Sequence, residues 1–380
     1  MIRSFGWAGT LHLLVAGMLF HPTDTVADNP DSGFPKSPEI REDRTVTFRI
    51  KASEARQVAV KGGFAKGKLA LEKSEGGLWQ GTVGPVDPGI YDYSFEVDGT
   101  YTLDPLNRWL KGWRSSANLF EVPADPPAVW QRGPGVARGV VHRHSFFSEP
   151  LQSEREVFVY TPPGYAEETE REYPVLYLLH GSGDDASAWT NVGRAHVIAD
   201  NLIAAGKCEP LVIVMPYGHG HRPGTDLSAF ADRGEWYREN NKAVFEDFFQ
   251  SVVPLAENAY RLKKGPDDTA IAGLSMGGGQ SLELGLNHPE RFGWVAGFSS
   301  ATPTDEAATI EPYRAFDPTL SRRKVWIGCG RADSLLERND FFHGWLERKG
   351  LVHDYVLTEG GHAWPVWRDY LERWLTGLFR

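Results

Sequence analysis

Asp268-Thr-Ala-Ile-Ala-Gly-Leu-Ser-Met-Gly-Gly278 sets the pentad Gly273-Leu-Ser-Met-Gly277 directly behind a short apolar stretch of β character. A strand that turns at once into a helix strains the backbone of its corner residue, and flanking glycines, having no Cβ, let the chain pass close to itself. Ser275 is therefore expected to stand exposed at a strand-to-helix corner. In a chain with 41 glycines such a pentad also arises by chance, so its context must carry the argument.

Two later segments supply that context. Lys324-Val-Trp-Ile-Gly-Cys-Gly-Arg-Ala-Asp333 reads as a buried strand ending in an acid, and Tyr355-Val-Leu-Thr-Glu-Gly-Gly-His362 as a strand ending in a histidine. A serine hydroxyl is a poor nucleophile at neutral pH and needs an imidazole to take its proton. The imidazole in turn needs a carboxylate to fix its tautomer and stabilise the imidazolium. Ser275, His362 and Asp333 are the candidates for these roles, with Glu337 the fallback for the acid. Acyl transfer also needs N–H groups aimed at the developing oxyanion. One is expected from Met276. The other is expected from Ser182, with Gly181 the near alternative, in the loop after the apolar run of Pro174-Val-Leu-Tyr-Leu-Leu-His-Gly-Ser-Gly183. His180 is expected to be a structural hydrogen-bonding residue of that loop. His219 and His221 have no converging carboxylate or cysteine pattern, so no metal and no cofactor is expected. The chain order serine, acid, histidine is similar to that of α/β-hydrolases and differs from those of chymotrypsin and subtilisin.

Helix-like stretches at Lys242 to Tyr260 and Gly278 to His288, between apolar strands, predict a mostly parallel sheet with helices on both faces. The proposed catalytic elements all follow strand ends, where such sheets bind ligands. On Tyr160-Thr-Pro-Pro-Gly-Tyr165, Tyr177-Leu-Leu-His-Gly-Ser-Gly183, Leu211-Val-Ile-Val-Met-Pro216, Gly273-Leu-Ser-Met-Gly-Gly278, Asp333 and Gly360-Gly-His-Ala-Trp-Pro-Val-Trp367, residues 139–380 resemble the esterase D-like carbohydrate esterases of family one. That family includes feruloyl and acetylxylan esterases and is related to siderophore esterases and mycolyltransferases. The two tryptophans after His362 look like its feruloyl branch.

The resemblance implies an α/β hydrolase with a Ser275, Asp333 and His362 triad, acting on plant cell-wall esters through an acyl-enzyme. Feruloylated or acetylated xylan oligosaccharides are the implied partners and ferulate the favoured acyl group. Acetylxylan and siderophore trilactones are the alternatives, the latter with Arg222 and Arg238 facing catecholates. A carbohydrate-binding scaffold with an inert hydrolase region is the non-enzyme alternative. Trp189, Trp236, Trp364 and Trp367, with Tyr237, are the aromatic candidates for holding a hydroxycinnamoyl or sugar ring.

Residues 28–123 differ in character: short alternating runs such as Val46 to Ile50, Val58 to Gly62, Leu78 to Val83 and Tyr91 to Gly99 predict an all-β immunoglobulin-like sandwich. Gly62-Gly-Phe64, Gly77-Leu-Trp79, Pro88-Gly-Ile-Tyr-Asp-Tyr-Ser-Phe95, Val97-Asp-Gly99 and Asp104-Pro105 resemble the family 48 carbohydrate-binding modules, or isoamylase N-terminal-like domains. Starch-binding members carry a tryptophan where this chain has Ala65-Lys-Gly67 and a lysine where it has Ser94, so starch or glycogen binding is not implied. Trp109 and Trp113 either stack on a sugar or feruloyl ring or pack between the two domains. Residues 124–138 form a proline-rich linker, expected to hold the module stiffly over the catalytic region.

Arg3, the apolar stretch Trp7 to Phe20 and the small residues Thr25-Val-Ala27 read as a secretory signal over residues 1–27, too short to span a bilayer. The mature chain is expected to be secreted or periplasmic, with no membrane attachment. Cys208 and Cys329 are too few for a disulfide framework and are expected to be free and buried. A net charge of −10 without a long basic run argues against nucleic acid as a partner.

Overall fold

Val175-Leu-Tyr-Leu-Leu179 has no polar side to turn toward water, and the chain buries it on both faces. Leu176 and Leu178 join one core, while Val175, Tyr177 and Leu179 join another. Successive side chains of a strand point to opposite faces, so a continuous apolar run belongs in the middle of a covered parallel sheet. The computed structural model describes residues 35–65, 67–112, 116–220, 233–320 and 324–380. The signal segment 1–27, Trp113, His221 and Arg222 lie outside the described residues.

The sheet has eight strands: β1 (Val140–Ser148), β2 (Ser153–Thr161), β3 (Val175–Leu179), β4 (Val212–Pro216), β5 (Thr269–Leu274), β6 (Trp294–Phe298), β7 (Lys324–Gly330) and β8 (Asp354–Thr358). Their spatial order is β1-β2-β4-β3-β5-β6-β7-β8. β2 pairs antiparallel with both β1 and β4, and every pairing from β4 to β8 is parallel. The expected mostly parallel α/β sheet is thus present, with helices over both cores.

Two helices differ from expectation at their starts. The helix expected from Gly278 runs Ser275–Asn287, because β5 hands the chain directly to it at the serine. The helix expected from Lys242 begins at Arg233, since the mostly polar stretch before Lys242 carries little apolar periodicity. It passes through a single π turn, Phe248–Val252, into Val253–Ala259. Pro254 has no N–H and its ring crowds the turn before it, which a wider π turn relieves.

Upstream lie two antiparallel sheets. One joins Glu39–Ile40, Val46–Lys51, Leu78–Val83 and Glu72–Lys73; the other joins Lys68–Ala70, Val58–Gly62, Gly89–Val97, Ala117–Val122 and Leu110–Lys111, with Thr100–Thr102 paired to the third. Val46, Phe48 and Ile50 of the first sheet and Val60, Tyr93, Phe95 and Phe120 of the second fill one shared core, which makes a sandwich.

This sandwich does not stand apart from the region of the eight-stranded sheet. Its Ile90 and Leu119 belong to the same core as Leu176 and Trp189. The segment after it is tied down by hydrogen bonds. The buried Gln131 side chain accepts from the Ala124 and Ala128 N–H groups at 3.0 and 2.9 Å, and Asn201 Nδ2 donates to the Val129 and Gln131 carbonyls, each at 2.7 Å.

Glu283, two turns along the helix Ser275–Asn287, accepts a 2.9 Å hydrogen bond from Asn241 Nδ2. Burial pushes its carboxyl up to about 7, against the lowering effect of Asn241. The unfolded chain releases that proton near 4.5, so the folded state holds it longer. Stability from this group is fully present below that value and is lost as pH rises to about 7. Glu283→Gln keeps the acceptor for Asn241 and is expected to raise Tm at about pH 8 but not at about pH 4. Thermal melts at both values check this, and an equal Tm change at the two would contradict it.

Candidate active site

Ser275 has φ 53°, in the left-handed region that residues with a side chain rarely enter. The corner closes only because its neighbours are glycines. A Cβ on Gly273 would lie 2.4 Å from the Gly277 carbonyl oxygen, and one on Gly277 would lie 2.4 Å from that of His180. The helix Ser275–Asn287 is thereby seated against the loop that follows β3.

At this corner three expected residues come together. Ser275 Oγ lies 3.0 Å from His362 Nε2, and His362 Nδ1 lies 3.0 Å from both carboxylate oxygens of Asp333. Asp333 follows β7 and His362 follows β8, so the groups come from the carboxyl ends of three parallel strands. The Asp333 side chain is fully buried and that of His362 is 30% exposed, so solvent access rises toward the serine. Burial by itself would raise the Asp333 carboxyl, but the hydrogen bonds from His362 and the Leu335 N–H outweigh it and hold the acid below its ordinary value. Glu337, the fallback acid, is exposed on the helix Leu336–Arg348.

A carboxylate on Nδ1 fixes the proton there and leaves Nε2 free to accept from the serine. The Met276 N–H lies in the first turn of a helix, whose N–H groups have no acceptor within the helix. Gly181, beside Ser182, is close enough to the nucleophile that a Cβ there would sit 3.3 Å from Ser275 Cβ. His180 is buried. Its Nε2 accepts from the Gly218 N–H at 2.9 Å, so its Nδ1–H donates to the Gly181 carbonyl at 2.8 Å. Burial lowers this imidazole to about 4, which keeps it neutral and in that tautomer.

A second layer holds the loop after β4, and its Arg155, Asp247, Gln280 and Asn241 were not among the expected residues. Arg155, buried in an ion pair with Asp247, donates to the carbonyls of Tyr217 and His219. Gln280 Nε2 donates to the Gly218 carbonyl at 3.0 Å and to Asn241 Oδ1 at 3.1 Å. Tyr237 OH donates to the Met276 carbonyl at 3.0 Å. Arg155 and Asp247 are 92 residues apart and carry no local pattern that would link them.

The tryptophans are mostly not where substrate binding would need them. Trp189 is 1% exposed, donates to the Leu179 carbonyl and meets Trp364 edge to face at 5.2 Å. Trp364 and Trp367 are buried in the same core, and Trp367 meets the His362 ring edge to face at 4.9 Å. These three fill the core behind the site instead of lining an open cleft, because rings this large contribute most when fully enclosed. Trp109 is also not an open platform. It packs at the seam between sandwich and hydrolase with the Arg194 guanidinium 4.3 Å from its ring centre. Trp236 remains partly exposed, its ring centre 6.3 Å from that of His219. Cys208 and Cys329 are both free and buried. A cavity of about 370 Å³, lined by Val175, Leu262, Lys264, Thr269 and Arg291, opens at the amino ends of β3 and β5, away from the serine.

The family described as "Putative esterase" matches residues 148–377. The chain is similar to an endo-1,4-beta-xylanase/feruloyl esterase of Xylanibacter ruminicola, 30% identical over 352 residues that make up 90% of this chain and 46% of that protein. It spans about half the length of the first curated relatives it matches, 46% and 54%. Among solved structures, a CE1 ferulic acid esterase of Anaeromyces mucronatus matches with a TM-score of 0.59 at 24% identity, over 66% of this chain and 94% of that one. An enterobactin esterase of Shigella flexneri matches with a TM-score of 0.60 at 20% identity, over 90% of this chain and 96% of that one. These two likenesses establish the fold, and the second is too long to leave out the sandwich. With the family match covering more than half of its residues, the chain belongs to this esterase family.

Proposed function

We propose that the chain is a serine carboxylester hydrolase that releases ferulate from feruloylated xylan. The observation that carries the reaction is the hydrogen-bonded series Ser275, His362, Asp333 at a strained strand-to-helix corner. Ser275 Oγ attacks the ester carbonyl carbon while His362 Nε2 takes its proton, and Asp333 stabilises the resulting imidazolium. The tetrahedral oxyanion forms against the Met276 and Ser182 N–H groups. Its collapse breaks the bond to the leaving alcohol, which takes the proton from His362, and leaves the acyl group on Ser275. Water, deprotonated by His362, then attacks the acyl carbon and frees the acid and the serine.

The similarity over 90% of the chain to a xylanase/feruloyl esterase supports ferulate as the acyl group. Trp236 and Tyr217, both partly exposed and both within ring contact of His219, are the aromatic residues proposed to meet it. A second reading, hydrolysis of a siderophore trilactone, is favoured by the likeness to an enterobactin esterase that takes in the sandwich as well. Arg238 is exposed on its helix and would then face the catecholates. Export is part of the proposal and rests on the residues of the leader alone.

Fluorophosphonate is expected to label Ser275, and Asp333→Asn to slow labelling on the order of 10³-fold or more while Tm is kept, since the wrong imidazole tautomer then faces the serine. Undiminished labelling in that variant would remove Asp333 from the site. Incubation with feruloylated arabinoxylan and methyl ferulate is expected to release ferulate, with less than about one hundredth of the rate left in Ser275→Ala. Acetate alone would shift the reading to deacetylation, and neither product would favour the siderophore lactones.

A further inference from the structure

The turn that carries Ser182 is held from two sides, and one of them is the sandwich. The Gly181 carbonyl accepts from His180 Nδ1–H at 2.8 Å and from the Asp184 N–H at 3.3 Å, with Gly183 at φ 90° completing a tight turn over Gly181–Asp184. Both bonds fix the plane of the Gly181–Ser182 peptide. In a trans peptide the N–H points away from the C=O, so fixing the carbonyl inward also fixes the direction of the Ser182 N–H.

Asp184 closes this turn, and its carboxylate is largely buried. Lys111 of the sandwich strand Leu110–Lys111 reaches it, Nζ to Oδ1 3.5 Å, with side-chain exposures of 16% and 9%. Burial raises the Asp184 carboxyl and Lys111 opposes that shift. The contact continues on either side. Asn191 Nδ2 donates to the Leu110 carbonyl at 3.4 Å, and Gly112 lies so close to Asp185 that a Cβ there would sit 2.1 Å from its Oδ2. The strand itself is anchored. It pairs with Ala117 and Asn118, and Asn118 is bonded both to the buried Asp104 and to the Asn107 carbonyl.

We propose that Lys111 is a positioning residue, through which the sandwich clamps the Gly181–Asp184 turn and keeps the Ser182 N–H aimed at the oxyanion. The inference rests on the proposed oxyanion role of Ser182. An exposed ion pair would do little, but this one is shielded from water, and without Lys111 the buried carboxylate is left without its counter-charge. Asp184 would then turn toward solvent or take up a proton, and the turn would loosen.

The test uses full-length wild type, Lys111→Met, Lys111→Arg, Asp184→Asn and the double variant Lys111→Met/Asp184→Asn with 4-nitrophenyl acetate, a substrate indifferent to the natural acyl group. Lys111→Met and Asp184→Asn are each expected to lower kcat about tenfold at nearly unchanged KM, with the double variant no worse than the weaker single one. Lys111→Arg is expected to recover most of the rate. A role in packing alone would lower Tm and leave kcat intact, so an unchanged kcat in folded Lys111→Met overturns the proposal. If Lys111→Met does not fold, the near-isosteric Asp184→Asn gives the same reading. An inactive wild type would overturn the esterase reading and the clamp with it, whereas an active wild type with insensitive variants overturns the clamp alone.

Discussion

The distance at which β5, the helix that follows it and the loop after β3 approach one another governs the rest of the molecule. Gly273 and Gly277 permit backbone contacts that any Cβ would block, and Ser275 takes φ 53° as the outcome. Such strain is kept only where the surroundings over-determine it. Here they do. β5 is central in an eight-stranded sheet, and the helix Ser275–Asn287 is buried along most of its length. The serine is presented at the carboxyl edge of the sheet because the two cores leave that corner nowhere else to go.

Around this corner the polar groups form a continuous scaffold. Arg155, ion-paired with Asp247, donates to the carbonyls of Tyr217 and His219, Gln280 ties the Gly218 carbonyl to Asn241, and His180 joins Gly218 to Gly181. Breaking a buried ion pair from one side costs about 3–5 kcal/mol in comparable proteins, because the remaining charge is stranded. Arg155 therefore acts on the site without touching it. The neutral His180 fits the same logic: a charged imidazole could not accept from the Gly218 N–H, and its burial disfavours the charge.

Much of this was legible in the residues. Val175 to Leu179 declares a strand covered on both faces, and the acid and histidine at the ends of β7 and β8 follow from reading apolar runs against the residues that stop them. The tryptophans were less informative. An indole that stacks on a ligand and one that fills a core have the same composition and similar neighbours, and only the fold reveals that Trp189, Trp364 and Trp367 are of the second kind. Trp109, left open between the two, proved to sit at the seam under Arg194. The pairs Lys111 with Asp184 and Arg155 with Asp247 were invisible because each joins distant segments through single side chains, and neither periodicity nor spacing marks such a contact.

If the triad works as described, an acyl group passes through Ser275, and acid-quench mass spectrometry detects it there. Methyl ferulate is mixed with the chain, the reaction is stopped within milliseconds, and the digest is searched for a feruloyl adduct. That adduct is expected on the peptide containing Ser275, appearing before free ferulate reaches its steady rate and decaying when substrate is exhausted. Ferulate released with no adduct at any time, or an adduct on a peptide that lacks Ser275, would contradict it.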